Sequence, residues 1–413
     1  MKTTPYIVVA LTGLGAFTCA YAKDPVVIAY VVALSGPFAN VGETQIKHAQ
    51  FVVDKINNHG GVLGGRKLEL LPMDHKNSPQ EALVLLSKIV DRGIRFISYC
   101  CASHVAVPLA EAVQRHNTRN PHQRIVLLVE AGDQELTNDK CNFWSFSFLA
   151  TAEILADALT SYVARQPNIK RVYLINQDYV WGHQNQRFIR DMLTRKQPNI
   201  RIVGDDLHPL GKVKDFAPYV AKIRAAKPDV VMTANWGNDM VLLVKAAAEA
   251  RLDLEIYTYY AVLYGAPTAM GKAATDKVKA IYRWHPNVES EKERVAMHDY
   301  QRRYNLQYYA LPSSNVFNML AKAIDSAAST DPLGVAYALE NIQIRGGMGE
   351  VWMRPEDHQL FEPLYIMTFT AVNGRDVKYG IEGPRIGTRT EARIEAADTM
   401  LATRCKMARP TRP

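Results

Sequence analysis

An α/β protein of about two domains, each built round a parallel sheet, is what this sequence predicts, and three observations predict it. Strand-length runs rich in β-branched residues alternate with stretches of helical periodicity along most of the chain. The rhythm pauses at Phe143-Trp144-Ser145-Phe146 and then restarts. At 413 residues the chain is also too long for one ordinary core.

The first half opens with the strand Val26-Val27-Ile28-Ala29-Tyr30-Val31-Val32, which stops at Ser35-Gly36-Pro37. A helix follows, with Ile46, Ala49, Val53 and Ile56 three and four apart, and closes near His59-Gly60-Gly61. Leu68 to Met73 reads as the next strand. Ser78-Pro79-Gln80-Glu81 has the form of a capping box with proline in the first turn, ahead of Leu85, Leu86, Ile89 and Val90. Strands at Phe96 to Tyr99 and Ile125 to Val129 continue the alternation.

The second half repeats it. Val172 to Ile175 is a strand, Gly182 to Arg195 a helix and Arg201 to Val203 a strand. Asp215 is placed to cap a helix carrying Val220 and Ile223. Asp229 to Thr233 is a further strand, followed by a helix with Leu242, Leu243 and Ala246 on one side. Core formation accounts for these apolar runs. It does not account for the polar and aromatic residues gathered where the strands end, the edge at which open parallel sheets hold ligands.

Composition excludes several classes. With 48% hydrophobic and 22% charged residues the chain is neither disordered nor fibrous. The formal charge of +8 is dispersed, and no Lys/Arg block alternates with aromatics, so no nucleic-acid partner is expected. Lys2, the apolar run Ile7 to Phe17 and Ala20-Tyr21-Ala22 have the order of a secretory signal peptide cut after Ala22. The remaining chain, with no later run of about 18 apolar residues, is expected to be exported and not membrane-embedded.

Four cysteines follow Ala22: Cys100, Cys101, Cys141 and Cys405. An even number in an oxidising compartment favours disulfides. Neighbouring Cα atoms about 3.8 Å apart lie below the usual disulfide range, so a bond between Cys100 and Cys101 would be strained. The expected pair is Cys141 with Cys405. Two adjacent cysteines do not easily share a tetrahedral site, so no metal is expected at Cys100, Cys101 and His104.

Five stretches carry a family resemblance: Leu34-Ser35-Gly36-Pro37-Phe38-Ala39, then Asn58 to Arg66, then Asp178-Tyr179-Val180-Trp181-Gly182, then Asp215-Phe216 ahead of Pro228-Asp229-Val230-Val231, and Gly347 to Val351. In this order the chain resembles the leucine/isoleucine/valine-binding type of periplasmic binding protein over nearly its whole mature length. The resemblance implies two doubly wound, Rossmann-like lobes joined by three crossovers and closing on ligand like a hinged trap. The crossovers are expected near Trp144 to Phe148, Arg283 to His285 and Gly346 to Glu350. That gives 23–145 with 285–347 as the first lobe and 146–284 with 348–413 as the second. A monomer without cofactors is implied, working in the periplasm with the permease subunits of an ABC importer.

Carried over by position, the serine that binds a ligand carboxylate falls at Ala102-Ser103, with Ser103 the donor. The family's alanine-threonine pair reads Ala131-Gly132, without the threonine hydroxyl. Trp181 and Trp236 take the places of two family aromatics, and Tyr260 stands where the family has an acid for the ligand ammonium.

The residues make a case of their own. Trp181, Trp236, Tyr259 and Tyr260 follow strands, where aromatics can bury an apolar ligand body while their N–H and O–H groups fix its polar end, or else simply pack the hinge. Phe38 and Tyr179 belong to the same strand-end stretches. Ser35 and Ser103 precede helices and could serve as caps, as ligand contacts, or both. Glu130, at the end of a strand, points at the cleft, where it would replace the missing acid and hold an ammonium, or else it is a solvated loop residue.

No nucleophile elbow, zinc-protease helix or phosphate loop occurs, so no catalysis is expected. The expected role is capture of a branched-chain or other apolar amino acid for import by an ABC importer. The alternatives are the same role for an aromatic carboxylate, or a periplasmic sensing module.

Overall fold

The computed structural model describes residues 23–412, so the expected signal peptide lies outside the described residues. Strand β1 (Val26–Val32) forms because its β-branched residues are buried on both faces, as a central parallel strand requires. Beside it lie β2 (Leu68–Asp74) and β3 (Phe96–Cys100), then β4 (Val126–Glu130) and β5 (Ser145–Ser147). All pair in parallel, in the order β2-β1-β3-β4-β5. The crossovers are α1 (Ala39–Asn58), α2 (Pro79–Asp91) and α3 (Ser103–Arg119). Helix α2 starts where the capping signal stands: Ser78 Oγ accepts from the Glu81 N–H at 3.4 Å, with Pro79 in the first turn.

Helix α4 (Ala152–Ala164) begins the second unit, its first turn capped by Thr151. There follow β6 (Arg171–Gln177), α5 (Val180–Lys196), β7 (Arg201–His208), α6 (Ala217–Ala226), β8 (Val230–Met232), α7 (Asn238–Glu249) and β9 (Glu255–Thr258). Asp215 accepts from the Ala217 N–H at 2.8 Å. Asp229 leaves the expected strand and instead accepts from the N–H groups of Lys170 and Arg171 at 2.7 and 2.8 Å, pinning the start of β6. After the short α8 (Ala266–Met270), β10 (Val278–Tyr282) completes the parallel part of this sheet.

The rest of the chain shuttles. Helix α9 (Glu291–Tyr304) is followed by α10 (Ser313–Ser326) and α11 (Pro332–Leu339). A small antiparallel sheet of β11 (Gln343–Gly346), β12 (Gly349–Met353) and β13 (Leu360–Phe361) comes next. Strands β14 (Leu364–Ala371) and β15 (Ile386–Ile394) then add antiparallel edges, giving the seven-stranded order β15-β14-β10-β9-β8-β6-β7.

Three features depart from the expected boundaries. Helix α9, expected in the first lobe, joins the second core through Met297 and Tyr300 while touching α1 at Phe51, so the return to the first sheet comes between 305 and 312. Gly346 to Glu350 is the β11–β12 turn, with Gly346 paired to Gly349, and the next passage is at 362–363. Residues 403–410, expected in the second lobe, lie on the first: Arg404 N–H donates to Asn138 at 2.9 Å and Thr403 Oγ1 to the Thr137 carbonyl at 2.6 Å. The departures at α9 and at 403–410 arise because packing partners distant in sequence decide where a surface helix or tail settles. Among the described residues, no helix is long and apolar enough to cross a membrane.

Candidate functional site

Strand order reverses between β1 and β3 in the first sheet and between β6 and β8 in the second, and these switch points open crevices at the carboxyl ends of the strands. The two crevices face each other. Phe38, following β1, stacks on Trp236, following β8, with ring centroids 4.5 Å apart. Between the sheets lies a cavity of about 60 Å³. That is room for several waters or a compact ligand.

Its wall includes Ser103, Glu130, Gly132, Tyr179, Trp181, Trp236 and Tyr260. Phe38 and Ala102 border a smaller neighbouring cavity of about 10 Å³. Tyr259 is buried behind Trp181 with ring centroids 5.8 Å apart, and Ala131 is buried in the first core, neither lining the cavity. Ser35 is exposed and does not line it either.

The aromatic wall is held by its own polar edges. Trp181 Nε1 donates to the Ala234 carbonyl at 2.9 Å, and Trp236 Nε1 to Tyr179 Oη at 2.7 Å, so both indole N–H groups are engaged within the protein. Gly132 explains the absent threonine. A β-carbon at 132 would lie 2.6 Å from the Trp181 ring, so the small residue is what lets the indole lean across the cleft. Ser103 opens α3 without any side-chain cap, leaving the first turn of that helix to the cavity it lines.

Glu130 is the last residue of β4, buried, and neither carboxylate oxygen has a hydrogen-bond partner within the protein. Tyr30, Ser98 and the Ser313 N–H approach it without reaching bonding geometry. Burial pushes its carboxyl up to about 8, against the opposing pull of the Arg283 guanidinium and these nearby groups. Arg283 is itself engaged: Nη2 meets Glu362 Oε2 at 2.6 Å. Among the described residues, Glu130 is the one acidic or basic side chain on the cavity wall.

Sequence reasoning missed Gln45, Leu149, Tyr264 and Tyr282, which also line the cavity. Gln45 accepts from Tyr30 Oη at 3.1 Å and donates to Tyr264 Oη at 2.9 Å, joining α1 to the segment after β9. Tyr282 ends β10, and the strand-end rule applied to that strand would have found it. Cys100 and Cys101 also face the cavity and are joined to each other, a pair not expected from the sequence. Cys141 and Cys405 are joined, with Cα atoms 5.7 Å apart.

A family model described as periplasmic binding protein matches residues 25–375. The chain belongs to the periplasmic binding protein family. This binding protein is 29% identical over 396 residues, 94% of each chain, to a Brucella melitensis protein named Leu/Ile/Val-binding protein homolog 4. A Pseudomonas aeruginosa protein named for binding leucine, isoleucine, valine, threonine and alanine is 22% identical over 81% of this chain and 86% of its own. Among solved structures, the Brucella ovis leucine-, isoleucine-, valine-, threonine- and alanine-binding protein, in a closed conformation, superposes with a TM-score of 0.82 at 28% identity, covering 94% of this chain and all of the other. A solute-binding protein of an ABC transporter from R. palustris, in complex with benzoate, gives 0.74 at 17% identity over 92% and 99% of the two chains, a likeness of fold. The two-lobed fold of this binding protein is that of the family, whose role is solute binding.

Proposed function

We propose that this binding protein captures a small amino acid, of the leucine, isoleucine or valine kind, and delivers it unaltered to the permease of an ABC importer. Glu130 carries the reading: an ammonium costs several kcal/mol to bury unless a carboxylate or several acceptors receive it. Glu130 is such a carboxylate, buried and unpartnered on the wall. Ser103 and the uncapped first turn of α3 would take the ligand carboxylate. Trp181, Trp236 and Tyr179 would cover the apolar body. The relatives' names support the same class. Family membership supports the periplasmic address, with the leader expected at 1–22 supplying export.

In this reading the lobes divide at 148–151, 305–312 and 362–363, and the protein acts as a monomer that performs no chemistry. Ligand bridges both lobes only when they close, so it stabilises the closed form by its differential affinity.

One observation favours a second ligand class. A carboxyl raised to about 8 is largely protonated at neutral pH, and in that form it can donate to the carboxylate of an aromatic acid. A thermal-shift series tests the two. Stabilisation by L-leucine, L-isoleucine or L-valine supports the first reading. Stabilisation by benzoate or 4-hydroxybenzoate, with none from any amino acid, replaces it with the second.

A further inference from the structure

The groups that pack Glu130 decide how it responds to a ligand. Tyr30 from β1, Ser98 from β3 and the Ser313 N–H from α10 surround it from its own side of the cleft. Tyr264, from the segment after β9, and Arg283, after β10, face it from the other side. Arg283 is paired with Glu362 at 2.6 Å and also donates to the Ala310 carbonyl, so its pull on Glu130 is outweighed by burial. His48 on α1, bonded to Ser313 Oγ at 2.8 Å, is lowered to about 3, first by burial and then by Arg283, and stays uncharged. In this conformation, with groups of both lobes packed around it, Glu130 is buried on the cavity wall. It meets the ligand as a carboxyl without an internal partner, on a wall with no other acid or base.

We propose that Glu130 selects the ligand by exchanging a proton. A ligand bearing an ammonium is taken with the carboxyl ionised, its proton passing to solvent, whereas a carboxylate without an amine is taken only with the carboxyl protonated and donating to it. In the first case the pair formed is R–NH3+ with Glu130 COO−, and one proton is released for each ligand bound. In the second, Glu130 COOH donates to R–COO−, with the proton retained or taken up. A carboxyl raised to about 8 is protonated in the empty pocket at neutral pH, which gives the two cases opposite signs. The same pocket therefore favours amines as pH rises and amine-free acids as pH falls. This inference rests on the solute-binding reading above.

The test is calorimetric titration of the intact mature protein with L-leucine and with benzoate, in buffers of differing ionisation enthalpy so that exchanged protons are counted. Between about pH 5.5 and about pH 7.5, leucine affinity is expected to rise by up to about tenfold per pH unit with one proton released, while benzoate affinity falls or stays flat with none released. In Glu130→Gln the leucine affinity should collapse and any benzoate binding lose its pH dependence. Glu130→Asp, which keeps a carboxyl, should retain the sign of the leucine slope and guards against a variant that misfolds. Binding of leucine with no proton released and no pH slope overturns this inference alone. Failure of both probes to bind the unaltered protein overturns the proposed function and this inference together.

Discussion

Trp181 occupies the space that a β-carbon at position 132 would need, and the trade is local and testable. Gly132→Thr is expected to push the indole out of the cleft and weaken ligand binding by about tenfold, roughly 1.4 kcal/mol, measured by calorimetry. Trp236 is clamped between Phe38 and Tyr179. Its replacement by alanine removes aromatic surface from the ligand and should cost about 1 to 3 kcal/mol of binding with the fold intact; unchanged affinity would take Trp236 out of the site. Glu130 affects stability as well as binding. Its folded-state value of about 8 exceeds its ordinary 4.5, so the folded protein holds a proton that the unfolded chain gives up, and stability falls as pH rises through that interval. The unliganded Glu130→Gln variant should therefore melt above the parent at about pH 8, and the two should converge near pH 5. Equal melting at both pH values would show that Glu130 is not held protonated. These positions were legible because each follows a strand in an open parallel sheet. Gln45 and Tyr264 were not, since helix α1 and a loop reach the cavity only once the two sheets face each other.

At the scale of elements, local signals placed the starts of helices well. Ser78 with Pro79 marks the first turn of α2, and Asp215 that of α6, because a cap is satisfied within three residues of chain. Local signals could not place α9, whose Met297 and Tyr300 choose a core by contact with residues far away in sequence. One buried ion pair ties together segments that are distant in the chain. Arg283, just after β10, binds Glu362, the Ala310 carbonyl lies against it, and Asn315 Nδ2 donates to the same Glu362 oxygen at 2.9 Å. Both charges are buried, so removing one leaves the other unpaired. Arg283→Leu is expected to destabilise the protein by about 3 to 5 kcal/mol in denaturant unfolding. A loss below about 1 kcal/mol, the range of exposed pairs, would show that this junction does not depend on it.

In the whole molecule the C-terminal segment returns to the first lobe and is held there by the bond between Cys141 and Cys405, 264 residues apart in sequence. Closing so long a loop restricts the unfolded chain, and the Cys141→Ser, Cys405→Ser double variant should lose about 2 to 4 kcal/mol. Peptide mapping without reductant that found both thiols free would remove the bond from the native state. The sequence by itself determined the α/β class, the alternation that builds two parallel sheets, and the strand ends that carry aromatic and acidic side chains. It could do so because periodicity, capping and turn chemistry act over a few residues. Only the tertiary structure decided that the two crevices meet, that Gly132 makes room for Trp181, that Glu130 is buried without a partner, and where α9 and the tail belong. Each of these depends on desolvation and steric fit between segments remote in the chain, and no short-range pattern records them.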